Sequence, residues 1–240
     1  EAALGADVVL YHEAGEFKEK GLMTTSCCPS FVMFVEKNFP ELKQYISSSN
    51  SPMVEAANII KRTDPTAKVV FIGPCTSKKM EFRLPKTNGA IDCVISFEEL
   101  QAFLDARDID VASLEPTPLD NASYYGRIFA KSCGIAQGIR AVGEEMGVTG
   151  INPIAMSGID QCRMNLLKLK MGRAAENFFE GMACDGGCIN GALCLHHGMR
   201  NMVDVDNYGK SAKEKTIDGS VKLYKMSLEA EEKRKNQANK

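Results

Sequence analysis

Nine cysteines in a chain of 240 residues constrain this sequence more than any other feature. They are Cys27, Cys28, Cys75, Cys93, Cys133, Cys162, Cys184, Cys188 and Cys194. An odd number cannot close into a complete disulfide framework. A chain this long also buries roughly 70% of its unfolded surface and needs no covalent staples. The cysteines therefore read as reduced thiols able to hold a metal, in a reducing compartment such as the cytoplasm.

The rest of the composition is that of a globule, with 44% hydrophobic and 25% charged residues. Lys and Arg number 29 against 31 Asp and Glu, a net charge of -2. That balance gives no electrostatic case for nucleic acid or an anionic membrane. No apolar run approaches the ~18 residues of a membrane span. The chain opens at Glu1, without a targeting pattern, directly into an apolar stretch. It is expected to be a processed product or a fragment of a longer polypeptide.

Val8–Leu10 suits a strand or, better, the apolar face of a helix running on through Glu13 and Glu16. Pro29 before Phe31, Val32, Phe34 and Val35 marks a helix start, and Pro40 its end. The polar run 47–52 caps a helix over Met53–Lys61. Lys68–Ile72 reads as a buried strand broken by Gly73 and Pro74, and Ile91–Ile95 as a second strand. Ser96 and Glu99 form a capping-box pattern for the helix through Phe103. Ile135, Ile139 and Val142 carry a helix period that Gly147 terminates. Helices are also expected over 161–170 and, briefly, 174–179. The order implies an α/β fold. Its expected parts are 1–21, a lobe over 22–125, a return to the first lobe over 126–212, and a polar tail over 213–240. Within that tail, 227–240 reads as a solvated helix or frayed end.

Thiolates are soft ligands that suit zinc or iron–sulfur clusters. Cys184 and Cys188 flank Gly186–Gly187, which lets the backbone pass close to a cofactor. Cys28 precedes a proline and Cys75 follows one, both at the ends of apolar elements, where α/β scaffolds place their chemistry. Spacing alone does not choose the metal. Cys93 reads as a core residue inside its strand and Cys162 as an apolar helix position. Cys194 with His196 and His197 is a weaker candidate for a second metal site.

Three segments resemble the signatures of iron-only ([FeFe]) hydrogenases: Thr25–Pro29, Pro74–Glu81 and Glu180–Gly191. Their order is specific, and the likeness covers about residues 4 to 191. It implies a two-lobed catalytic domain with parallel sheets flanked by helices, truncated at its N-terminal side. It also implies an H-cluster, which is a [4Fe-4S] cubane joined to a two-iron subsite with CO, CN and a bridging azadithiolate. By resemblance Cys28, Cys75, Cys184 and Cys188 hold the cubane, and Cys188 bridges to the two-iron subsite. Lys78 donates to a cyanide, Met182 packs beside the subsite, and Ser51 belongs to the same cofactor-binding set. Cys27 relays protons, continued by Glu13, Ser47 and Glu16.

The implied reaction is reversible hydrogen oxidation, with H2 and protons as substrates. Electrons would pass to a ferredoxin or upstream iron–sulfur domains, and maturation proteins would assemble the cofactor. Some positions depart from the family pattern. Ser30–Phe31 stands where a tryptophan usually follows, and Gly73 where methionine does. Gly191–Ala192–Leu193–Cys194 replaces a Gly-Gly-Gln-Pro run. The changes leave open a hydrogen- or redox-sensing relative, a protein carrying only the cubane, and a zinc scaffold.

Overall fold

The computed structural model describes residues 2–117, 119–222 and 224–225. The expected tail helix over 227–240 lies outside them. Two parallel sheets organise the chain. The larger has the order β1–β5–β4, built from β1 (Met23–Thr24), β4 (Pro153–Ser157) and β5 (Phe178–Met182). The smaller pairs β2 (Val70–Ile72) with β3 (Cys93–Ile95).

The central strand explains the larger sheet. Every residue of β5 is buried, as expected of a parallel strand covered on both faces. Successive side chains alternate between faces. Phe178 packs in a core with Val9, Leu10, Phe17, Ile135 and Ile139, from α1 (Ala2–Lys20) and α7 (Gly134–Met146). Phe179 joins the opposite core with Phe31, Val35, Met156 and Leu166, supplied in part by α2 (Pro29–Asn38) and α8 (Ile159–Lys170). Burying two phenylalanines contributes about 1.5–3 kcal/mol each. The short helix expected over 174–179 is therefore wrong. A buried central strand is a run of adjacent apolar residues, which periodicity does not separate from a helix.

A third core packs α3 (Pro52–Thr63) on the smaller sheet through Met53, Ala57, Val69 and Val94. The strand expected to be buried over 68–72 is open on its other side, where Val70 is 50% and Ile72 41% exposed. Cys93, expected in the core, is likewise exposed because it pairs in register with Val70. The expected capping box is present at α5 (Phe97–Asp105), with Glu99 N donating to Ser96 Oγ at 3.1 Å. Gly147 ends α7 at φ +67°, a left-handed conformation that glycine adopts freely. Further helices are α4 (Thr76–Glu81), α6 (Tyr124–Ile128) and α9 (Met199–Lys210). Beyond 213, where a polar tail was expected, Ile217 and Val221 are buried in the α1–α7 core. Among the described residues no helix is long and apolar enough to cross a membrane.

Candidate metal centre

All three cysteine loops leave the carboxyl ends of parallel strands, where α/β folds place ligand sites. After β1, Thr25 N donates to Phe179 O at 3.0 Å, and Gly181 N donates to Thr25 Oγ at 3.1 Å. These bonds fix the turn that delivers Cys27 and Cys28, and Cys28 is the N-cap of α2. After β2, Gly73 and Pro74 break the strand and Cys75 caps α4. After β5 comes the Cys184–Cys188 turn, in which Gly187 has φ +91°. A Cβ on Gly187 would lie 2.6 Å from Ser132 N and 2.7 Å from Met182 Sδ, so only glycine fits. Leu193 N donates to Pro74 O at 3.1 Å and ties the third loop to the second.

The loops meet at a cavity of about 550 Å³ whose walls include Cys27, Cys28, Cys75, Lys78, Met182 and Cys188. Burial pushes the Cys188 thiol up to about 12, with the neighbouring Cys28, Cys75 and Cys184 raising it further and Lys78 opposing them. Burial also raises Cys184, with Cys28, Cys75 and Cys194 as further causes. Cys28 and Cys75 thus lie near enough to influence both Cys184 and Cys188; Cys28, Cys75 and Cys188 line the cavity, and Cys184 does not. All nine cysteines are free thiols. Among the described residues no three His, Cys, Asp or Glu side chains gather closely enough to hold a metal ion. Thiolates are soft donors that suit either zinc or an iron–sulfur cluster, and Cys28, Cys75 and Cys188 present theirs to this cavity.

Lys78 is 9% exposed and donates to Glu81 Oε2 at 2.5 Å and to the Cys27 carbonyl at 3.0 Å. An ammonium carries three donors, so two are committed to protein. Glu81 Oε1 and Ser51 Oγ are buried and have no partner. Met182, 2% exposed, lines the cavity. Two departures from the family pattern have a packing answer. A Cβ on Gly73 would sit 2.5 Å from the Phe71 ring, and Phe71 itself lines the cavity, so the aromatic fills the space that Gly73 vacates. A Cβ on Gly181 would sit 2.4 Å from the Phe31 ring, so the ring following the Cys28 motif lies directly on β5. Ser30 and Ser77 hydrogen-bond to each other and join the first turns of α2 and α4.

Behind Cys27 lies a file of polar groups through the core. Burial pushes the Cys27 thiol well up, and the charge of nearby Glu13 raises it further. Glu13 is fully buried and desolvation raises its pKa to about 8. The Ser47 hydroxyl and Ser26 backbone draw it back, yet neither carboxylate oxygen makes a hydrogen bond of ordinary geometry. Ser47 Oγ instead donates to Glu16 Oε2 at 2.7 Å. Burial raises Glu16 as well. The bond from Lys20 at 2.6 Å, with those from Ser48 N and Ser47, outweighs it and leaves Glu16 lowered. The file thus reaches from the cavity wall to exposed Lys20.

Outside this set, Cys162 is a core residue, pushed up to about 12 mainly by burial. Cys133 is exposed at the start of α7. Cys194 and His197 bond to backbone carbonyls and form no second metal site among the described residues. Sequence reasoning gave no role to Glu180. It is fully buried, accepts from Cys133 N at 2.9 Å and Ala136 N at 2.7 Å, and burial raises it to about 7. A carboxylate inside the apolar run of β5 was the available signal.

Residues 1–192 match the family described as "Iron only hydrogenase large subunit, C-terminal domain". The chain belongs to that family. It is 29% identical over 251 aligned positions to iron hydrogenase 1 of Clostridium pasteurianum, covering 84% of this chain and 44% of that protein. It is 35% identical over 96 positions to the cytosolic Fe-S cluster assembly factor NAR1 of Kluyveromyces lactis, covering 40% of this chain and 20% of that one. The chain therefore spans less than half the length of these two curated relatives. Its fold matches a variant of the FeFe-hydrogenase HydA1 of Chlamydomonas reinhardtii with a TM-score of 0.72 at 18% identity, over 92% of this chain and 78% of that one. The likeness in fold agrees with the family match.

Proposed function

We propose that this chain holds an H-cluster and belongs to an enzyme that interconverts H2 with protons and electrons. The observation that carries the proposal is the buried file from Cys27 to Glu16, which starts at the wall of the cavity shared by the ligand cysteines. The file holds a carboxyl group in the core, beside the Cys27 thiol, that desolvation raises to about 8. A proton carrier works best when its pKa lies near the working pH.

Cys28, Cys75, Cys184 and Cys188 would hold the iron–sulfur part of the cluster through their thiolates. When bound, the cluster supplies an open iron position for hydrogen and a route for electrons. Lys78 would offer its remaining N–H to an anionic ligand of the cofactor. The Ser51 hydroxyl, buried without a partner, suits the same use. Met182 would present a polarizable thioether to the cluster from the cavity wall.

Cys27 passes a proton to Glu13. Protonated Glu13 is a donor and can hand it on to Ser47, whose hydroxyl exchanges with Glu16. Glu16, lowered by Lys20, releases it to water. Oxidised or reduced ferredoxin-type carriers are the proposed electron partners, and dedicated maturation proteins the proposed source of the two-iron subsite.

The likeness to an Fe-S cluster assembly factor favours a second reading, an iron–sulfur protein that carries only a cubane and does no hydrogen chemistry, as the sequence also left open. Infrared spectroscopy after maturation separates the two. The hydrogenase reading expects metal-bound carbon monoxide and cyanide bands with hydrogen turnover. It also expects Cys27→Ala to keep the bands and iron while losing most turnover. A loaded cubane without those bands would decide for the second reading.

A further inference from the structure

The family run changes after Gly191, and the structure shows what holds the third loop instead. The Cys188–Asn190 turn is a single 3-10 turn, whose last carbonyls have no partner within the turn. Three side chains from the following segment meet those and the next carbonyls. Cys194 Sγ lies 3.2 Å from Ile189 O and 3.7 Å from Cys188 O. His197 Nε2 lies 3.0 Å from Gly191 O. Asn201 Nδ2 donates to Ile189 O at 2.9 Å and to His196 O at 3.0 Å, so one amide joins two turns. In return Gly198 N, at the start of α9, donates to Asn190 Oδ1 at 3.2 Å.

Asn201 lies in the first turn of α9 and lines the same cavity as Cys188. The base of this clamp is fixed separately, because Asp206 of α9 accepts from Lys131 at 2.7 Å and Tyr124 at 2.9 Å. Residues from 193 onward lie outside the family match. The clamp is therefore built from residues beyond the family match.

We infer that Asn201 is a positioning residue for Cys188, holding the turn at the spacing that a cluster ligand needs. This rests on reading Cys188 as a ligand. Without the amide, Ile189 O keeps only a weak thiol donor and His196 O loses the Asn201 bond. The turn next to Gly186 and Gly187 then loosens, because those glycines resist rotation least. Partners of this kind typically change metal retention by about 10- to 100-fold.

The test uses the full chain with Asn201→Ala, the isosteric Asn201→Asp, which cannot donate, and Asn201→Gln, which can. In metal-free protein, hydrogen exchange is read at Asn190, Gly191 and Cys194, whose amides close this turn. Ala and Asp are expected to speed exchange there by about tenfold, the net worth of one hydrogen bond. Val142 in α7 should stay protected, and Gln should restore most of the protection. In anaerobically reconstituted protein, a chelator should strip the cluster about 10- to 100-fold faster from Ala and Asp than from wild type.

Unchanged exchange in both Ala and Asp overturns the clamp whether or not a cluster assembles. A wild-type chain that loads a cluster, with variants that keep it equally long, overturns only the role of Asn201. A wild-type chain that loads none overturns the ligand reading itself and the inference with it.

Discussion

Replacing Glu13 with Gln tests the electrostatics of the core directly. Glu13 is fully buried, and desolvation lifts its pKa from 4.5 to about 8. The folded state thus holds a proton that the unfolded state releases between those values. Below pH 4.5 both states are protonated and the group costs nothing. As pH rises through the window the native state loses stability, and above about 8 the full cost is present. At about 1.4 kcal/mol per pH unit, the ceiling is about 5 kcal/mol.

Asp7, raised mainly by burial to about 6, and Glu180, raised mainly by burial to about 7, act with the same sign. The wild-type stability curve should therefore fall from near pH 4 upward. Gln is neutral throughout and removes one contribution to that slope, while any cost of its buried amide is independent of pH. Urea unfolding of reduced, metal-free protein is measured at steps from about pH 5 to about 8.5. The gap between variant and wild type should widen in favour of Gln as pH rises. Parallel curves would show that Glu13 is hydrated or paired in solution, and would remove the physical basis of the proton file.

Lys78→Met should cost about 3–5 kcal/mol, because it strands the buried Glu81 carboxylate. Urea melts should show Glu81→Gln in the same chain recovering part of the loss. Gly181→Val should cost about 1–3 kcal/mol by driving a side chain into the Phe31 ring, and Phe31→Leu should relieve it. Additive losses in that pair would refute the contact.

The helices were legible wherever punctuation was strong. Pro29, the Ser96–Glu99 box and Gly147 each mark an end that the structure shares within a residue or two. The central strand was not legible, since Phe178 and Phe179 serve opposite cores and leave no alternation of polarity. Cys93 was misread because its strand belongs to a sheet that is open on one side, and an apolar run does not announce which face is covered. The three cysteine loops could be named from their motifs. That they share one cavity depends on parallel pairings between distant segments, such as Met23 with Phe178, which no local pattern encodes. α9 and Asn201 escaped for a simpler reason: nothing in 199–210 distinguishes a cavity wall from an ordinary surface helix.

Anaerobic reconstitution with iron and sulfide, read by metal analysis and electron paramagnetic resonance on the reduced protein, tests the meeting of these loops most directly. One cubane per wild-type chain is expected, with its signal lost or altered in Cys28→Ala, Cys75→Ala, Cys184→Ala and Cys188→Ala and kept in Cys93→Ala. A chain that binds zinc alone, or a cubane signal indifferent to those four substitutions, would contradict it.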